Sequence, residues 1–415
     1  MTSLRQRALD AGLAANERVL AALDNAFDWV FLRESLVRSG QTPYECIYEG
    51  DPMSLRYYPV PEGSSMVAAG GERVPIIRQR KAVPLVLVPP LGVTTESFDL
   101  MPDRSLVRYM AARGYHTYLI DWGKPQKRHA HLSMADYASE MMSTALAEVR
   151  AHSGSKTVSL MGWCMGGLLC LIHLGLHGDA GVRNLITVAS PIDLRGGGIV
   201  ARAASVLNTP ARLIRKFTSW RLHHLDPARL HAPAWLTTLG FKLTDPVGSI
   251  STYWDLLTRL WDREFVESHS TTADYLNNML LYPGGVIQDL VVRMAVDNQL
   301  ASGCIQIRDR TADLRKIKAN LLVYAGTTDH LVPPEIARGS LDVVTSADKE
   351  FRIAPGGHMG VILGSKAQHE VWEPCVQWLA SRSELTRARN PKRRSGAEET
   401  QRQIQQRRER DDPTL

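Results

Sequence analysis

The chain has 415 residues, of which 44% are apolar and 22% charged, and this composition excludes a mainly disordered chain and a fibrous repeat. The formal net charge of +6 is uneven: residues 382–415 carry ten basic and six acidic side chains, whereas the rest of the chain carries 39 and 37. The basic character therefore belongs mainly to the C-terminal tail, and the nearly neutral body is not expected to bind nucleic acid.

Residues 1–45 are predicted to be an N-terminal helical segment, with one helix over residues 4–38. Its apolar residues recur at spacings near three and four, as on one face of a helix: Leu9, Leu13, Leu20, Leu23, Phe27 and Val30. The polar face between them mixes both signs of charge, which does not suit an anionic membrane surface. We therefore expect this helix to pack on the body of the protein.

Strands and helices alternate in residues 46–196, the predicted first part of an α/β core. Strands are predicted at 54–58, 74–77, 85–88, 117–120, 158–161 and 185–189, and helices at 105–113, 134–153 and 165–176. Apolar runs bounded by prolines, such as residues 85–88, are typical of parallel strands buried on both faces. This alternation predicts a mostly parallel sheet with right-handed crossovers.

The alternation stops in residues 197–305, which look helical throughout and hold four of the nine tryptophans, so we predict an inserted helical cap there. It resumes in residues 306–382, the predicted second part of the core. The predicted strands of this part are 320–325 and 349–353, and its predicted helices are 334–340 and 366–381. Residues 383–415 are rich in Arg, Gln and Glu and nearly devoid of apolar side chains, which predicts a disordered tail or a solvated helix.

The five cysteines are odd in number and far apart, and none belongs to a CxxC pair or to a Cys/His cluster with zinc spacing. A disulfide scaffold and a structural zinc site are therefore not expected, and the expected compartment is a reducing cytoplasm. All but Cys164 are expected to be small buried apolar residues. No segment reaches the roughly 18 apolar residues that a membrane span needs, and the N-terminus lacks the apolar stretch of a signal peptide.

The string Val158-Ser-Leu-Met-Gly-Trp-Cys-Met-Gly-Gly167 places a cysteine between a predicted strand and a predicted helix. It fits Gly-x-nucleophile-x-Gly, with Cys164 where hydrolases usually have serine. Such a sharp turn strains the backbone of the nucleophile, and Gly162 and Gly166 keep side chains out of the turn. The thiol then lies at a helix N-terminus, whose dipole and free amides favour the thiolate. We predict that Cys164 is a catalytic nucleophile.

A nucleophile elbow predicts an acid and a histidine later in the chain, in that order. Asp329 follows the strand at 320–325, and His358 follows the strand at 349–353 in a glycine-rich loop. Open α/β sheets build their sites from such loops at the carboxyl ends of strands. We therefore predict that His358 takes the proton of Cys164 and that Asp329 fixes the imidazole tautomer.

The oxyanion hole is expected to use the amide that follows the nucleophile, Met165, and one amide from the loop after the first core strand. In the loop Pro89-Pro90-Leu91-Gly92-Val93, Leu91 is the candidate donor, because prolines have no N–H. A thiol exchanges acyl groups with thioesters at nearly balanced energy, so a cysteine nucleophile favours acyl transfer over hydrolysis. No metal or cofactor is expected in this chemistry.

Several strings together resemble polyhydroxyalkanoate synthases, and among these the class III catalytic subunit. The strings are Val88-Pro-Pro-Leu-Gly, Ser105-Leu-Val-Arg-Tyr-Met, Leu119-Ile-Asp-Trp-Gly-Lys-Pro125, Gly162-Trp-Cys-Met-Gly-Gly167, Val182-Arg-Asn-Leu-Ile, Asp329-His-Leu-Val-Pro-Pro334 and Gly357-His-Met-Gly. The Gly-x-Cys-x-Gly-Gly box is the signature of that family in place of the serine box of lipases. The resemblance covers residues 42–382 and implies the α/β-hydrolase fold with an inserted helical cap.

The family polymerises (R)-3-hydroxyacyl-coenzyme A and releases coenzyme A while the chain stays bound to the cysteine as a thioester. The resemblance therefore implies that Cys164 is acylated, that His358 is its general base, and that Asp329 assists activation of the incoming hydroxyl. It also implies substrate-binding roles for His330, beside the acid, and for Trp163. Trp163 is bulkier than the residue that the family usually has there, and it either narrows the acyl pocket or packs under the elbow.

The resemblance further implies a homo-dimer formed through the cap, or a hetero-oligomer with a second, non-catalytic subunit, at the surface of cytoplasmic polyester granules. Two alternatives remain open. The first is a thioesterase or esterase with a cysteine nucleophile on the same scaffold. The second is a non-catalytic granule-surface or nucleic-acid-associated protein that acts through its basic tail; removal of residues 383–415, but not of the Cys164 thiol, would then abolish function.

Overall fold

The computed structural model describes residues 4–195, 222–230 and 254–383, together with positions 233, 235 and 238. The predicted tail from residue 384 onward and much of the predicted cap lie outside the described residues. Within the described part of the chain, no helix is both long and apolar enough to cross a bilayer.

The described residues form a central sheet of eight strands, with three short two-stranded sheets beside it. The strands are β1 (Glu45–Glu49), β2 (Ser54–Tyr58), β3 (Ser65–Val67), β4 (Arg73–Pro75), β5 (Leu85–Val88), β6 (Asp99–Met101), β7 (Arg104–Ser105), β8 (Thr117–Asp121), β9 (Val158–Trp163), β10 (Val182–Val188), β11 (Cys304–Ile307), β12 (Arg310–Asp313), β13 (Asn320–Gly326) and β14 (Lys349–Ala354). The order in the central sheet is β1-β2-β8-β5-β9-β10-β13-β14. β1 pairs antiparallel with β2, and β2 pairs antiparallel with β8. The remaining pairs, in the order β8-β5-β9-β10-β13-β14, are all parallel, which confirms the predicted mostly parallel sheet.

The parallel strands β5, β9, β13 and β14 end level with their neighbours at one edge of the sheet. Val88 at the end of β5 lies opposite Gly162 near the end of β9. Gly326 at the end of β13 likewise lies opposite Ala354 at the end of β14. The loops that follow these four strands therefore share the edge at which open α/β sheets bind their ligands.

Within the described residues, the structure gives the bounds of ten α-helices, several of which cover the two faces of the sheet. They are α1 (Leu4–Phe31), α2 (Leu106–Ala112), α3 (Met142–Ser153), α4 (Met165–His177), α5 (Arg263–Asn277), α6 (Gly284–Asp289), α7 (Pro334–Arg338), α8 (Ser340–Val343), α9 (Gly360–Leu363) and α10 (Glu373–Ala380). The apolar side chains of α3, α4 and α7 pack in one cluster, whereas those of α2, α9 and α10 pack in another. The sheet lies between these two layers, which explains why its parallel strands are apolar without alternation.

The hairpin of β11 and β12 was not predicted from the sequence. The predicted boundary between cap and core, at residue 305, falls inside β11. The side chains of Ile305 and Ile307 are buried, and those of Cys304 and Gln306 are only partly buried. This is the two-residue period of a strand with one buried face. Four residues are too few to distinguish that period from a helical one in the sequence.

The N-terminal helix α1 ends at Phe31, before the predicted end at residue 38, and its apolar stripe does not face the described body. Its apolar residues Leu13, Leu20, Leu23, Phe27 and Val30 are all more than half exposed. Contacts outside that stripe hold the helix to the body. The Asn25 side chain donates to the carbonyl of Leu260 at 2.7 Å, Asp28 forms an ion pair with Arg263, and Trp29 packs against a small apolar cluster around Leu256.

The cysteines also depart in part from expectation. Cys170 and Cys375 are buried, as predicted for small apolar residues, but Cys46 is exposed and Cys304 is only partly buried. All five are free thiols. Cys164 differs from the others because it lies between a strand and a helix at the loop-bearing edge of the sheet.

Candidate active site

Cys164 occupies the turn between β9 and α4. Its backbone conformation, with φ 52° and ψ −119°, is one that residues other than glycine rarely adopt. A non-glycine residue in such a region costs roughly 1–3 kcal/mol and persists only where its surroundings enforce it. Here the amide of Cys164 donates to the carbonyl of Val188 in the neighbouring strand, at 2.8 Å. Its own carbonyl accepts from the amide of Gly167 at 3.1 Å. The sheet and the first turn of α4 therefore hold the nucleophile in place.

Three glycines make this turn possible. A Cβ on Gly162 would lie 2.5 Å from the amide nitrogen of Gly167, and a Cβ on Gly166 would lie 2.1 Å from the carbonyl oxygen of Val88. A Cβ on Gly167 would lie 2.1 Å from the hydroxyl of Ser190. The spacing that marks the elbow in the sequence is thus a close-packing requirement, because α4 begins directly against the ends of the neighbouring strands.

Asp329 and His358 come together from the loops after β13 and β14. Nδ1 of His358 lies 2.8 Å from Oδ2 of Asp329. The other carboxylate oxygen, Oδ1, accepts hydrogen bonds from the amides of Leu331 and Val332 at 2.9 and 2.8 Å. The Asp329 side chain is completely buried. Both of its oxygens are therefore engaged within the protein, and it acts on the site only through the imidazole.

The second ring nitrogen of His358, Nε2, is buried and makes no hydrogen bond to a nitrogen or oxygen atom of the described residues. Burial alone lowers the pKa of His358, but the charge of Cys164 and the hydrogen bond to Asp329 outweigh it and raise that pKa to about 10. The raised pKa favours the cationic form of the imidazole beside the sulfur. A cationic histidine paired with a cysteine is the activated form of a thiol nucleophile.

The two predicted oxyanion donors lie on either side of the contact between β5 and the elbow. Met165 is the first residue of α4, and the first amides of a helix have no acceptor within it. Leu91 lies in the turn after β5 and is buried. Because Gly166 touches the carbonyls of Val88 and Pro89, the Leu91 turn starts next to the elbow. The oxyanion hole itself stays a prediction.

The two predicted substrate-binding residues differ in their surroundings. Trp163 is fully buried, its ring centroid lies 5.6 Å from that of His358, and its indole N–H donates to the His358 carbonyl at 3.3 Å. This is packing beneath the elbow, the second of the two roles considered for it, and it argues against direct contact with substrate. His330 is exposed beside the buried Asp329.

Two tyrosines near the nucleophile were not expected from the sequence. Tyr282 donates its hydroxyl to the carbonyl of Leu91 at 2.6 Å, and its ring fills the space in front of Gly92. Tyr275, on α5, packs in the same apolar cluster as Trp163 and Cys164. Both lie within the predicted cap, where no motif distinguishes them from the other aromatic residues, so no sequence signal identifies them.

Comparisons with known proteins support this description. Residues 84–365 match the family described as alpha/beta hydrolase fold. The chain is 28% identical to the poly(3-hydroxyalkanoate) polymerase subunit PhaC of Haloferax mediterranei, over 92% of this chain and 71% of that protein. It is 26% identical to the subunit of the same name from Allochromatium vinosum, over 85% of this chain and 92% of that protein.

The predicted resemblance to polyhydroxyalkanoate synthases is confirmed by these relatives, which match over most of the chain. The predicted fold is confirmed by the family match together with the mostly parallel sheet. The matched residues include the elbow, the Asp329 loop and the His358 loop. The chain therefore belongs to the alpha/beta hydrolase fold family.

Proposed function

We propose that the protein polymerises (R)-3-hydroxyacyl-coenzyme A into polyhydroxyalkanoate and releases coenzyme A, with the growing acyl group carried as a thioester on Cys164. The observation that carries this proposal is a cysteine, rather than a serine, in a strained elbow beside a buried histidine whose pKa is raised to about 10. The similarity to proteins named poly(3-hydroxyalkanoate) polymerase supports the substrate and the product.

In the first step the Cys164 thiolate attacks the carbonyl carbon of the substrate thioester. The amides of Met165 and Leu91 stabilise the oxyanion that forms. The bond to the sulfur of coenzyme A then breaks, and His358 gives its proton to that leaving sulfur. The products are free coenzyme A, acylated Cys164 and a neutral imidazole.

In the second step the neutral imidazole of His358 takes the proton of the 3-hydroxyl on an incoming hydroxyacyl-coenzyme A. The hydroxyl oxygen attacks the acyl carbon on Cys164, an ester forms, and the thiolate and the imidazolium return. The lengthened acyl-coenzyme A then acylates Cys164 again. Asp329 assists this activation by orienting His358 rather than by touching the hydroxyl, because both of its oxygens are engaged and buried.

The test is a product analysis with 3-hydroxybutyryl-coenzyme A. Purified protein is expected to release coenzyme A and form insoluble polyester, and Cys164→Ala serves as the blank. Release of free monomeric hydroxy acid without polymer would overturn the proposal in favour of the thioesterase alternative. Removal of residues 383–415 is expected to leave coenzyme A release intact. Its loss would favour the alternative in which the basic tail is the functional part.

We also propose that the enzyme works at the surface of polyester granules, as a homo-dimer or with a second subunit. The exposed apolar residues of α1, among them Leu20 and Leu23, support an association with an apolar surface or a partner chain. Cosedimentation with purified granules tests this. Leu20→Lys combined with Leu23→Lys is expected to lower the bound fraction several-fold without changing coenzyme A release, and unchanged binding would overturn the role of α1.

A further inference from the structure

Tyr275 of α5 has a buried hydroxyl that bonds to nothing in the described protein. The residue is only 2% exposed, and its hydroxyl oxygen has no hydrogen-bond partner among the described residues. Buried polar groups in native proteins nearly always have partners, so each exception calls for an explanation. One such explanation is that a bound ligand forms the missing hydrogen bond. The surroundings of Tyr275 favour this explanation.

The chain segment after α5 is attached directly to the predicted oxyanion loop. The amide of Leu280 donates to the carbonyl of Gly92 at 2.8 Å, and the Tyr282 hydroxyl donates to the carbonyl of Leu91 at 2.6 Å. Tyr275 lies five residues before Leu280 and shares an apolar cluster with the partly buried Cys164. Tyr275 therefore lies near the nucleophile, on the segment that is attached to the predicted oxyanion loop.

The charges around Tyr275 keep its hydroxyl protonated. Burial raises the pKa of Tyr275, and the negative charges of Glu96 and Cys164 raise it further. The hydroxyl is thus protonated at neutral pH and can donate a hydrogen bond. Oε2 of Glu96 is also buried without a partner among the described residues. Tyr275 and the nearby Glu96 therefore present an unpaired donor and an unpaired acceptor.

We infer that Tyr275 is a specificity-determining residue whose hydroxyl donates a hydrogen bond to the 3-hydroxyl of the bound acyl group. This inference rests on the proposed function. In that reaction the amides of Met165 and Leu91 serve the thioester oxygen, and the 3-hydroxyl is the remaining polar group of a short hydroxyacyl chain. In this proposal the acyl chain extends from Cys164 towards Tyr275.

A buried donor of this kind selects strongly for substrates that carry the matching group. A substrate without the 3-hydroxyl leaves the donor unpaired in an apolar site, whereas a hydroxyacyl substrate satisfies it. Tyr275 would thus let the enzyme reject ordinary acyl-coenzyme A, which otherwise competes with hydroxyacyl-coenzyme A for acylation of Cys164 and starts chains whose first acyl group carries no hydroxyl.

The experiment compares single-turnover release of coenzyme A from 3-hydroxybutyryl-coenzyme A and from butyryl-coenzyme A, with acylation of Cys164 followed by intact mass. Tyr275→Phe is expected to lower the preference for the hydroxyacyl substrate about 10- to 100-fold, as loss of a buried hydrogen bond predicts. Tyr282→Phe is the matched control. Its hydroxyl positions the oxyanion loop, so this variant is expected to slow both substrates alike and keep the preference.

An unchanged preference of Tyr275→Phe overturns the inference, whether both substrates keep their rates or slow equally. A loss of thermal stability together with an unchanged preference would assign the hydroxyl to the fold through Glu96. Removal of an unpaired buried hydroxyl is expected to leave the melting temperature the same or higher. If the wild-type protein itself releases no coenzyme A from 3-hydroxybutyryl-coenzyme A, the proposed function fails, and the inference fails with it.

Discussion

The elbow around Cys164 and the N-terminal helix α1 are both predicted from residue spacing, yet their surroundings constrain them very differently. A Cβ on Gly166 in the elbow would lie 2.1 Å from the Val88 carbonyl oxygen, whereas a Cβ on Gly12 in α1 would meet nothing within 4 Å. Leu23 of α1 is 62% exposed, whereas Leu87 of β5 is fully buried. Where side chains are closely packed, as in the elbow, residue spacing predicts both the local structure and where it lies in the fold. On an exposed helix such as α1, residue spacing predicts only that a helix forms.

The largest effect is expected from Gly166→Ala, because the added methyl group meets a backbone carbonyl that cannot rotate away. We expect the free energy of unfolding to fall by more than about 4 kcal/mol, the range of severe core damage, and coenzyme A release to disappear. Urea unfolding followed by circular dichroism measures the first effect. The control is Gly360→Ala, since a Cβ on Gly360 meets nothing within 4 Å. Equal stability of the two variants would show that the elbow is not closely packed.

Asp329→Asn is expected to reduce the rate of coenzyme A release by roughly 10³- to 10⁴-fold while the protein stays folded. The asparagine keeps the shape of the side chain but removes the charge that stabilises the cationic imidazole and fixes its tautomer. Burial lowers the pKa of His358, and Cys164 and Asp329 together raise it to about 10. With one of these partners neutral, the pKa of His358 is expected to fall, which an NMR titration of the ring measures.

The same variant also tests in which direction the stability that His358 contributes changes with pH. The folded-state pKa of His358 lies above its ordinary value of 6.5. Its charged form therefore contributes stability that is fully present below pH 6.5 and is lost as the pH rises through about 10. The difference in free energy of unfolding between wild type and Asp329→Asn should be largest below pH 6.5 and shrink towards pH 10. A difference that grows with pH would show that His358 is neutral in the folded protein.

A matched pair of leucines compares the two regions directly. Leu87→Ala empties space in the centre of the sheet and is expected to lower the free energy of unfolding by about 2–5 kcal/mol. Leu23→Ala removes an equally large side chain from an exposed position and is expected to change it by no more than about 0.5 kcal/mol. Thermal or urea unfolding of both variants tests this. A large loss for Leu23→Ala would mean that a partner chain covers α1 in solution.

The central sheet and the catalytic loops could be predicted because several physical requirements agree there. Strands buried on both faces, such as Leu85–Val88, must be continuously apolar. The elbow demands glycine at Gly162 and Gly166 for steric reasons. The fixed order of nucleophile, acid and histidine then leads to Asp329 and His358, and the structure brings these two side chains within 2.8 Å of each other.

Tyr275 and Tyr282 could not be predicted as residues near the site, because no local sequence rule governs their positions. Tyr275 and Tyr282 reach the site through the tertiary placement of α5 and the segment after it, and an aromatic residue in a helical region is most often simply part of the core. For Trp163 the family resemblance leaves two roles open, narrowing of the acyl pocket and packing under the elbow. In a strand, however, successive side chains point to opposite faces, and Trp163 points into the apolar layer beneath the site.

The smallest effect is expected from Gly12→Ala, in the part of α1 that precedes its polar contacts at Asn25 and Asp28. Alanine is the better helix former by about 1 kcal/mol, and a Cβ on Gly12 meets nothing within 4 Å. This part of the helix opens without unfolding the core, so amide hydrogen exchange near residue 12 should slow about two- to five-fold while the melting temperature hardly moves. Faster exchange, or a change in oligomeric state, would show that in solution another chain packs against this glycine and that α1 is constrained as closely as the elbow.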